Sequence, residues 1–430
     1  MKKKPLFILV LVGSFGVSGC GPAAEPDPER DVNDQNTDQF GDGNPDVELT
    51  FAYTGADYAP LVEDYVAENP DIAITTQRLD SDDHHRNLFT ALSAGAGAPD
   101  LAVVDYTEIE TYKNAESHFM NLYDLGAEDI ESDFLEWAWE IGTTVSGDFS
   151  LGIPAAIDPT VLYYRTDLFD EAGLPTEPEE VDDLLSTWDD YADAAETIHA
   201  ETGKPIAPNP DMIYHAKRDQ TPEYYFNEAN ELIIENGSDA QDDYFKTVEW
   251  MASGYTDHLL IGSSTWWDAM EEGAYATLPA PASMRDDLLA NAPDESSWRI
   301  ALIPEGAGNQ GGSWLTIPSQ TDQPEETYAL LKWLTEPEQQ LRLFHDEGLF
   351  PANPDTYEEE LNDVADYFGD QSAGERFAEA ALTVEPVHRG PHFYDVDEEI
   401  TIGLENVYQG ADPENEWDEI LQRIDRRIGR

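Results

Sequence analysis

Aromatic rings, carboxylates and scarce arginines are the residues of this chain whose types and spacing could do chemistry. Asp105 adjoins Tyr106, Asp158 shortly precedes Tyr163, Trp266 and Trp267 are neighbours, Trp314 follows Gly312, and Arg389 precedes Tyr394, with Tyr53 and Tyr58 nearer the start. Carboxylates, amides and arginine bond hydroxyl groups, while rings stack on apolar C–H faces, so such a mixture suits non-covalent capture of a sugar-like molecule. Patterns for bond-breaking fare worse. Nine His are present, among them His84-His85, yet no His-Glu-x-x-His metal pattern occurs, nor a Gly-x-Ser-x-Gly elbow, nor a Walker loop. With 91 Asp+Glu any carboxylate pair can arise by chance, so a glycosidase pair stays open on residues alone. The pairs Tyr163-Tyr164 and Tyr224-Tyr225 could suggest iron ligation, but adjacent residues of a strand point to opposite faces. No catalytic residue, metal site or cofactor is expected.

These residues sit in 430 positions carrying 91 Asp+Glu against 22 Lys+Arg, a formal net charge of -69. The length allows two or three domains. A hydrophobic content of 40%, with ten Trp and twenty Tyr, argues against wholesale disorder. The charge excludes a nucleic-acid reader, which needs clustered Lys and Arg. The single cysteine, Cys20, excludes a disulfide scaffold, an iron–sulfur cluster and a Cys-ligated zinc. The acid is spread along the whole chain and Lys is nearly absent. That distribution fits a halophilic protein whose self-repulsion is screened by molar salt, or else an ordinary acidic protein.

The start reads as an address. Lys2-Lys3-Lys4 precede the apolar run 6–12, and Val17-Ser18-Gly19-Cys20 follows, the layout of a secretory signal far shorter than the ~20 residues of a membrane span. Val-Ser-Gly-Cys looks like a lipobox, so residues 1–20 are expected to be a lipoprotein signal peptide with Cys20 lipidated; no twin Arg precedes it. Residues 21–46 are Pro-, Asp- and Asn-rich and read as a flexible acidic tether. The stretch from Asp34 begins like a calcium loop, but it has Gln39 where Gly is required and Pro45 where a bidentate Glu is required, so no calcium site is expected there.

The body alternates strands and helices. Strands are expected at Val47–Tyr53 and Ile72–Arg78, at residues 99–104 ending in Asp105-Tyr106, and at 160–165 after an extended 151–159. Further strands are expected at 299–304 and 314–318, with a Gly-rich loop over 305–312 between them. Helices are expected at Ala59–Glu68 and at residues 85–93, 188–201, 222–235, 242–253, 325–335, 337–346 and 414–428. This rhythm marks an α/β lobe with ligands beyond the strand ends.

The run from Gly152 to Pro175, Gly-Ile-Pro-Ala-Ala-Ile-Asp-Pro-Thr-Val-Leu-Tyr-Tyr-Arg-Thr-Asp-Leu-Phe-Asp-Glu-Ala-Gly-Leu-Pro, resembles the extracellular solute-binding proteins of ABC importers, of the maltose and oligosaccharide type. Leu92-Ser-Ala-Gly-Ala-Gly-Ala-Pro-Asp100, Gly311-Gly312 before Leu315-Thr-Ile317, and Leu331-Lys-Trp-Leu-Thr-Glu-Pro-Glu-Gln with Gly348-Leu-Phe-Pro351 match in the family's order. The chain departs from the family at Arg165, where Asn is usual. It departs again in the acidic insert 177–183 that delays Thr187-Trp188, and around Tyr275, where a customary stacking ring is displaced.

The resemblance implies an α/β, two-lobed periplasmic-binding-protein-like fold, each lobe a mixed or parallel sheet flanked by helices, hinge-linked with a ligand cleft between. Residues 47–156 plus 312–351 would form lobe 1, and 157–311 plus 352–430 lobe 2. It implies a non-enzymatic monomer that captures a sugar or oligosaccharide at the outer face of the cytoplasmic membrane, held there by Cys20, and delivers it to a permease. Alternatives are a surface glycoside hydrolase or lyase, or a binder of polyamine or another solute. On this reading the ligand residues are Tyr53, Tyr58, Asp105, Tyr106, Asp158, Tyr163, one of Trp266 and Trp267, Gly312, Trp314, Arg389 and Tyr394. Asp158 stands at the first lobe crossing, and Trp314 at the second, as the leading stacking candidate. Against these stand plainer roles: strand-turn caps for Asp158 and Asp105, core for Tyr53, and a surface ion pair for Arg389.

Overall fold

The computed structural model describes residues 36–429 except 42, 44, 236, 294, 359, 360, 362–366 and 391. The signal, the lipobox with Cys20 and residues 21–35 of the expected tether lie outside the described residues. The strands are β1 (Asn36–Phe40), β2 (Val47–Tyr53), β3 (Ile72–Arg78), β4 (Leu101–Asp105), β5 (Gly152–Arg165), β6 (Thr277–Pro281), β7 (Trp298–Ala301) and β8 (Asn309–Thr316). They follow one hydrogen-bonded path, β1-β3-β2-β4-β8-β5-β6, with β7 also paired to β5.

β2, β3 and β4 are parallel and are connected through helices Ala59–Glu68 and Ser81–Ala94. Both faces of β4 are covered, which is why Leu101-Ala-Val-Val104 is apolar without alternation. Helix Ser81–Ala94 starts four residues before the expected position, because the Asp80 carboxylate accepts the Asp83 N–H at 3.0 Å and caps it. The helix closes at Gly95, φ +68°.

β5 joins two sheets. Its first half pairs antiparallel with β8, and its second half with β6 and β7. Register shifts fall at Pro154/Ala156 and Ile157/Pro159, where prolines offer no N–H to the ladder. The stretches 151–159 and 160–165, read separately in the sequence, are therefore one bent strand. Beside the bend, Ile157 pairs with Gly312 of β8 and bridges to Phe350, so three separate segments run side by side.

Three other expectations are corrected. Residues 36–40 are no tether: they form β1, an antiparallel edge strand on β3 with Phe40 packed against the core. Their polar composition fits an edge, where only part of the strand needs burying. Residues 222–235 are not a helix. The Asn227 carboxamide accepts the N–H groups of Ala229 (3.1 Å) and Glu231 (2.9 Å), Asn230 takes φ +59°, and Phe226 bridges Leu232 across the turn. Side chain-to-backbone bonding of this kind competes with helix formation. The neighbouring helix is Pro210–Arg218, capped by Asn209. The Gly-rich segment is also not a loop throughout, since Asn309–Thr316 is strand and two of its glycines let β8 lie against β5.

The main core runs along both sheets, and a second apolar cluster unites helices Pro210–Arg218, Asp239–Ser253, Phe393–Tyr408 and Pro413–Arg427 around Tyr225, Phe393 and Trp417. Among the described residues no helix is long and apolar enough to cross a membrane.

Candidate functional site

β4 delivers Asp105 and Tyr106 at its carboxyl end, but the two part company. Asp105 turns toward helix Ser81–Ala94, where Ser81 Oγ donates to it at 2.6 Å and His85 Nε2 lies 3.0 Å away. Burial alone would raise its pKa, yet the His85 and Ser81 bonds outweigh that and hold the carboxyl below its usual range. Tyr106 turns the other way. Its N–H donates to Gly312 O at 3.0 Å, and its ring stacks on Trp314 with centroids 5.8 Å apart and planes 27° from parallel.

Trp314 is fully buried, and its indole N–H donates to Ala138 O at 3.0 Å. In this arrangement it supports Tyr106 from behind and presents no open face, a correction to its reading as the leading exposed stacking ring. Gly312 is required as glycine. Its φ is +110°, and a Cβ there would lie 2.4 Å from Ala156 O.

Arg389 also lies over the Tyr106 ring, its guanidinium carbon 4.0 Å from the ring centroid and 4.6 Å from that of Phe393. Trp314, Tyr106, Arg389 and Phe393 thus form one connected cluster drawn from three distant segments. Arg389 is 3% exposed, so its reading as a surface ion pair fails. Its Nη2 donates to Asp219 Oδ1 at 2.9 Å and approaches Asn309 O at 3.4 Å, and its Nη1 bonds the Tyr394 hydroxyl. Asp219, fully enclosed, also accepts from Arg218 Nη2 at 2.7 Å, and Arg218 reaches Asp397 at 2.7 Å. Paired charges are the condition under which such groups stay buried. The Arg389 Nε atom, buried as well, has no hydrogen-bond partner among the described residues.

Of the residues singled out from sequence, Tyr106, Gly312, Trp314, Arg389 and Tyr394 converge here; the others do not. Tyr53 and Tyr58 pack edge-on with Phe51 in the core, ring centroids 5.0–5.4 Å apart. Asp158 caps Ser283, accepting its N–H at 2.9 Å and its hydroxyl at 2.7 Å; burial raises its pKa to about 6. The Tyr163 hydroxyl donates to Ala282 O at 3.0 Å within the core. Trp266 is core, stacked near Tyr275, while Trp267 is only partly covered.

Beside the stack runs a groove. A cavity of about 190 Å³ lies between Thr107, Glu108 and Glu110 on one wall and Arg389, Phe393 and Tyr394 on the other. Through Glu110 it adjoins a second cavity of about 440 Å³, lined by Trp139, Lys113 and Glu140 opposite Glu223, Glu228 and His388. Lys113 is ion-paired with Glu110 at 2.5 Å, and burial pushes the His388 pKa down, so the cavity offers carboxylates and few free cations. Sequence reasoning missed Asp219, Arg218, Asn309, Phe393 and Trp139. Asn309 alone carried a signal, as the first side-chain amide in the Gly-rich run.

The chain matches the family model for bacterial extracellular solute-binding proteins over residues 60–367. It is 25% identical over 356 residues to the arabinooligosaccharide-binding protein of Halalkalibacterium halodurans, covering 75% of this chain and 76% of that protein. It is 24% identical to the lactose-binding protein of Rhizobium radiobacter, covering 84% and 86%. Among solved structures, an extracellular solute-binding protein of family 1 superposes with a TM-score of 0.85 at 31% identity, covering 88% of this chain and 99% of that one. The sugar-binding protein MalE of Xanthomonas citri superposes at 0.76 with 21% identity, covering 88% and 96%, a likeness of fold.

Proposed function

The chain belongs to the bacterial extracellular solute-binding proteins, and from that premise we propose that it captures a sugar or oligosaccharide and delivers it to an ABC importer's permease. The observation that carries this reading is that Arg389, which lies over the Tyr106 ring and bonds the Tyr394 hydroxyl, lines with Tyr394 and Phe393 one wall of a groove whose other wall is Thr107, Glu108 and Glu110. Rings and a guanidinium beside carboxylate and hydroxyl groups answer the apolar faces and hydroxyls of a sugar. Relatives named for binding arabinooligosaccharide and lactose support the same class.

The lobes, on this reading, are residues 47–156 plus 312–351 and 157–311 plus 352–430, closing over the ligand about the β5–β8 bend. A ligand that touches both walls favours the shut form by its additional contacts. The ligand leaves chemically unaltered. Lipidation at Cys20 would hold the monomeric body at the membrane's outer face, and the acid-rich surface would suit molar salt.

A second reading, a polyamine as cargo, is favoured by Glu131, Glu140, Glu223 and Glu228 lining the larger cavity. Titration calorimetry in high salt with mono-, di- and oligosaccharides and with spermidine separates the two. Saturable heat from one sugar and none from spermidine is the expected result. Heat from spermidine alone transfers the function to polyamines, and release of reducing ends would make the protein a hydrolase.

A further inference from the structure

Tyr106 follows β4 and directly precedes Thr107 of one groove wall, while Arg389 lines the other wall from the segment before helix Phe393–Tyr408. Their contact at 4.0 Å is the closest cation–ring approach among the described residues. Trp314 stacks on the same ring at 5.8 Å, so that Tyr106 is only 4% exposed while Arg389 stays in place. Asp219 anchors Arg389 from its own wall, and Gly312 anchors Tyr106 from the other. A guanidinium flat on a ring resembles a sugar's C–H face in shape, but the arrangement is incomplete. Among the described residues the buried Arg389 Nε–H has no acceptor, a condition that costs free energy and that a ligand oxygen would relieve.

We propose that Arg389 is a place-holder. It occupies the Tyr106 face and latches the two walls together until a ligand takes that face and supplies the acceptor Nε–H lacks. This rests on the reading of the groove as the sugar site. It adds that the empty protein already samples a shut form, held by a contact the ligand must replace. Because the cation and both rings are enclosed, the latch is little screened by salt, unlike a surface ion pair.

The test is small-angle scattering of the purified chain with no sugar added, comparing wild type, Arg389→Ala and Tyr106→Leu. Both variants are expected to show a larger radius of gyration, the open-to-shut ratio shifting roughly three- to thirtyfold, the range a desolvated cation–ring contact carries. Tyr106→Leu leaves the buried Arg389–Asp219 pair in place and so keeps the test available where Arg389→Ala fails to fold. A Tyr106→Leu radius equal to that of wild type overturns the latch, whatever Arg389→Ala does. Sugars do not enter the comparison, so the latch can fail while the sugar reading stands, and the reverse.

Discussion

Asp219 Oδ1 accepts a hydrogen bond from Arg389 Nη2 at 2.9 Å, and the carboxylate that does so is completely enclosed. The same carboxylate holds Arg218 through its other oxygen at 2.7 Å, so one acid neutralises two arginines at the inner edge of the groove. Replacing Asp219 with Ala leaves Arg218 with Asp397 alone and takes from the buried Arg389 its carboxylate partner. A loss of about 3–5 kcal/mol in unfolding free energy is expected, the range for breaking a buried pair from one side. Urea titration measures it; an unchanged midpoint would remove Asp219 from its anchoring role.

Trp314 predicts a separation of stability from binding. Trp314→Ala deletes a fully buried ring and leaves the Ala138 carbonyl without its donor, which should cost about 3–5 kcal/mol. Trp314→Phe keeps a ring behind Tyr106 and should retain sugar affinity. An affinity loss in the Phe variant as large as that of a Tyr106 substitution would mean that the indole itself touches ligand.

At Gly312 the backbone rather than a side chain is at stake. Gly312→Ala forces a Cβ to within 2.4 Å of Ala156 O at φ +110°. Backbone strain alone should cost about 1–3 kcal/mol, and the shifted Gly312 carbonyl should loosen Tyr106. A thermal midpoint matching the wild type would show that the β5–β8 bend has more room than its geometry indicates.

Asp158 sets a pH window. Its folded pKa, raised by burial to about 6, lies above the unfolded Asp value of about 4. The protonated form is therefore favoured by folding. Its contribution is fully present below about pH 4 and is lost as pH rises through about 6, roughly 2–3 kcal/mol for a pKa raised by about two. Thermal midpoints of Asp158→Asn should lack the decline that wild type shows across that window. Parallel curves for the two proteins would refute the assignment.

The net charge of -69 predicts the response to salt. Raising NaCl from about 0.1 M to about 1 M shortens the screening length from about 10 Å to about 3 Å, which relieves self-repulsion. The unfolding midpoint should climb with salt throughout that range. A falling midpoint would count against adaptation to brine.

Local pattern was sufficient for much of this protein. Apolar runs placed Val47–Tyr53, Ala59–Glu68 and Ile72–Arg78 with their observed ends, because each is decided by neighbours within a few residues. Four short matches in order pointed to the fold, and they could do so because fold-defining close approaches such as Gly311-Gly312 leave a local mark in the sequence. Where side chains compete with the backbone, as Asn227 does, local pattern misled.

The identity of the site belonged to tertiary structure. Nothing near Asp219 in the chain foretells Arg389, 170 residues away, and nothing near Tyr106 foretells which of its faces Trp314 would cover. Asp105 and Tyr106 are neighbours, yet one bonds His85 and the other meets Arg389, because successive side chains leave a strand end in opposite directions. Burial likewise sorted rings of one type into core, as Tyr53 and Tyr163, and groove, as Tyr394. Residue types follow from the sequence, but which of them share a space depends on long-range packing that no short window contains.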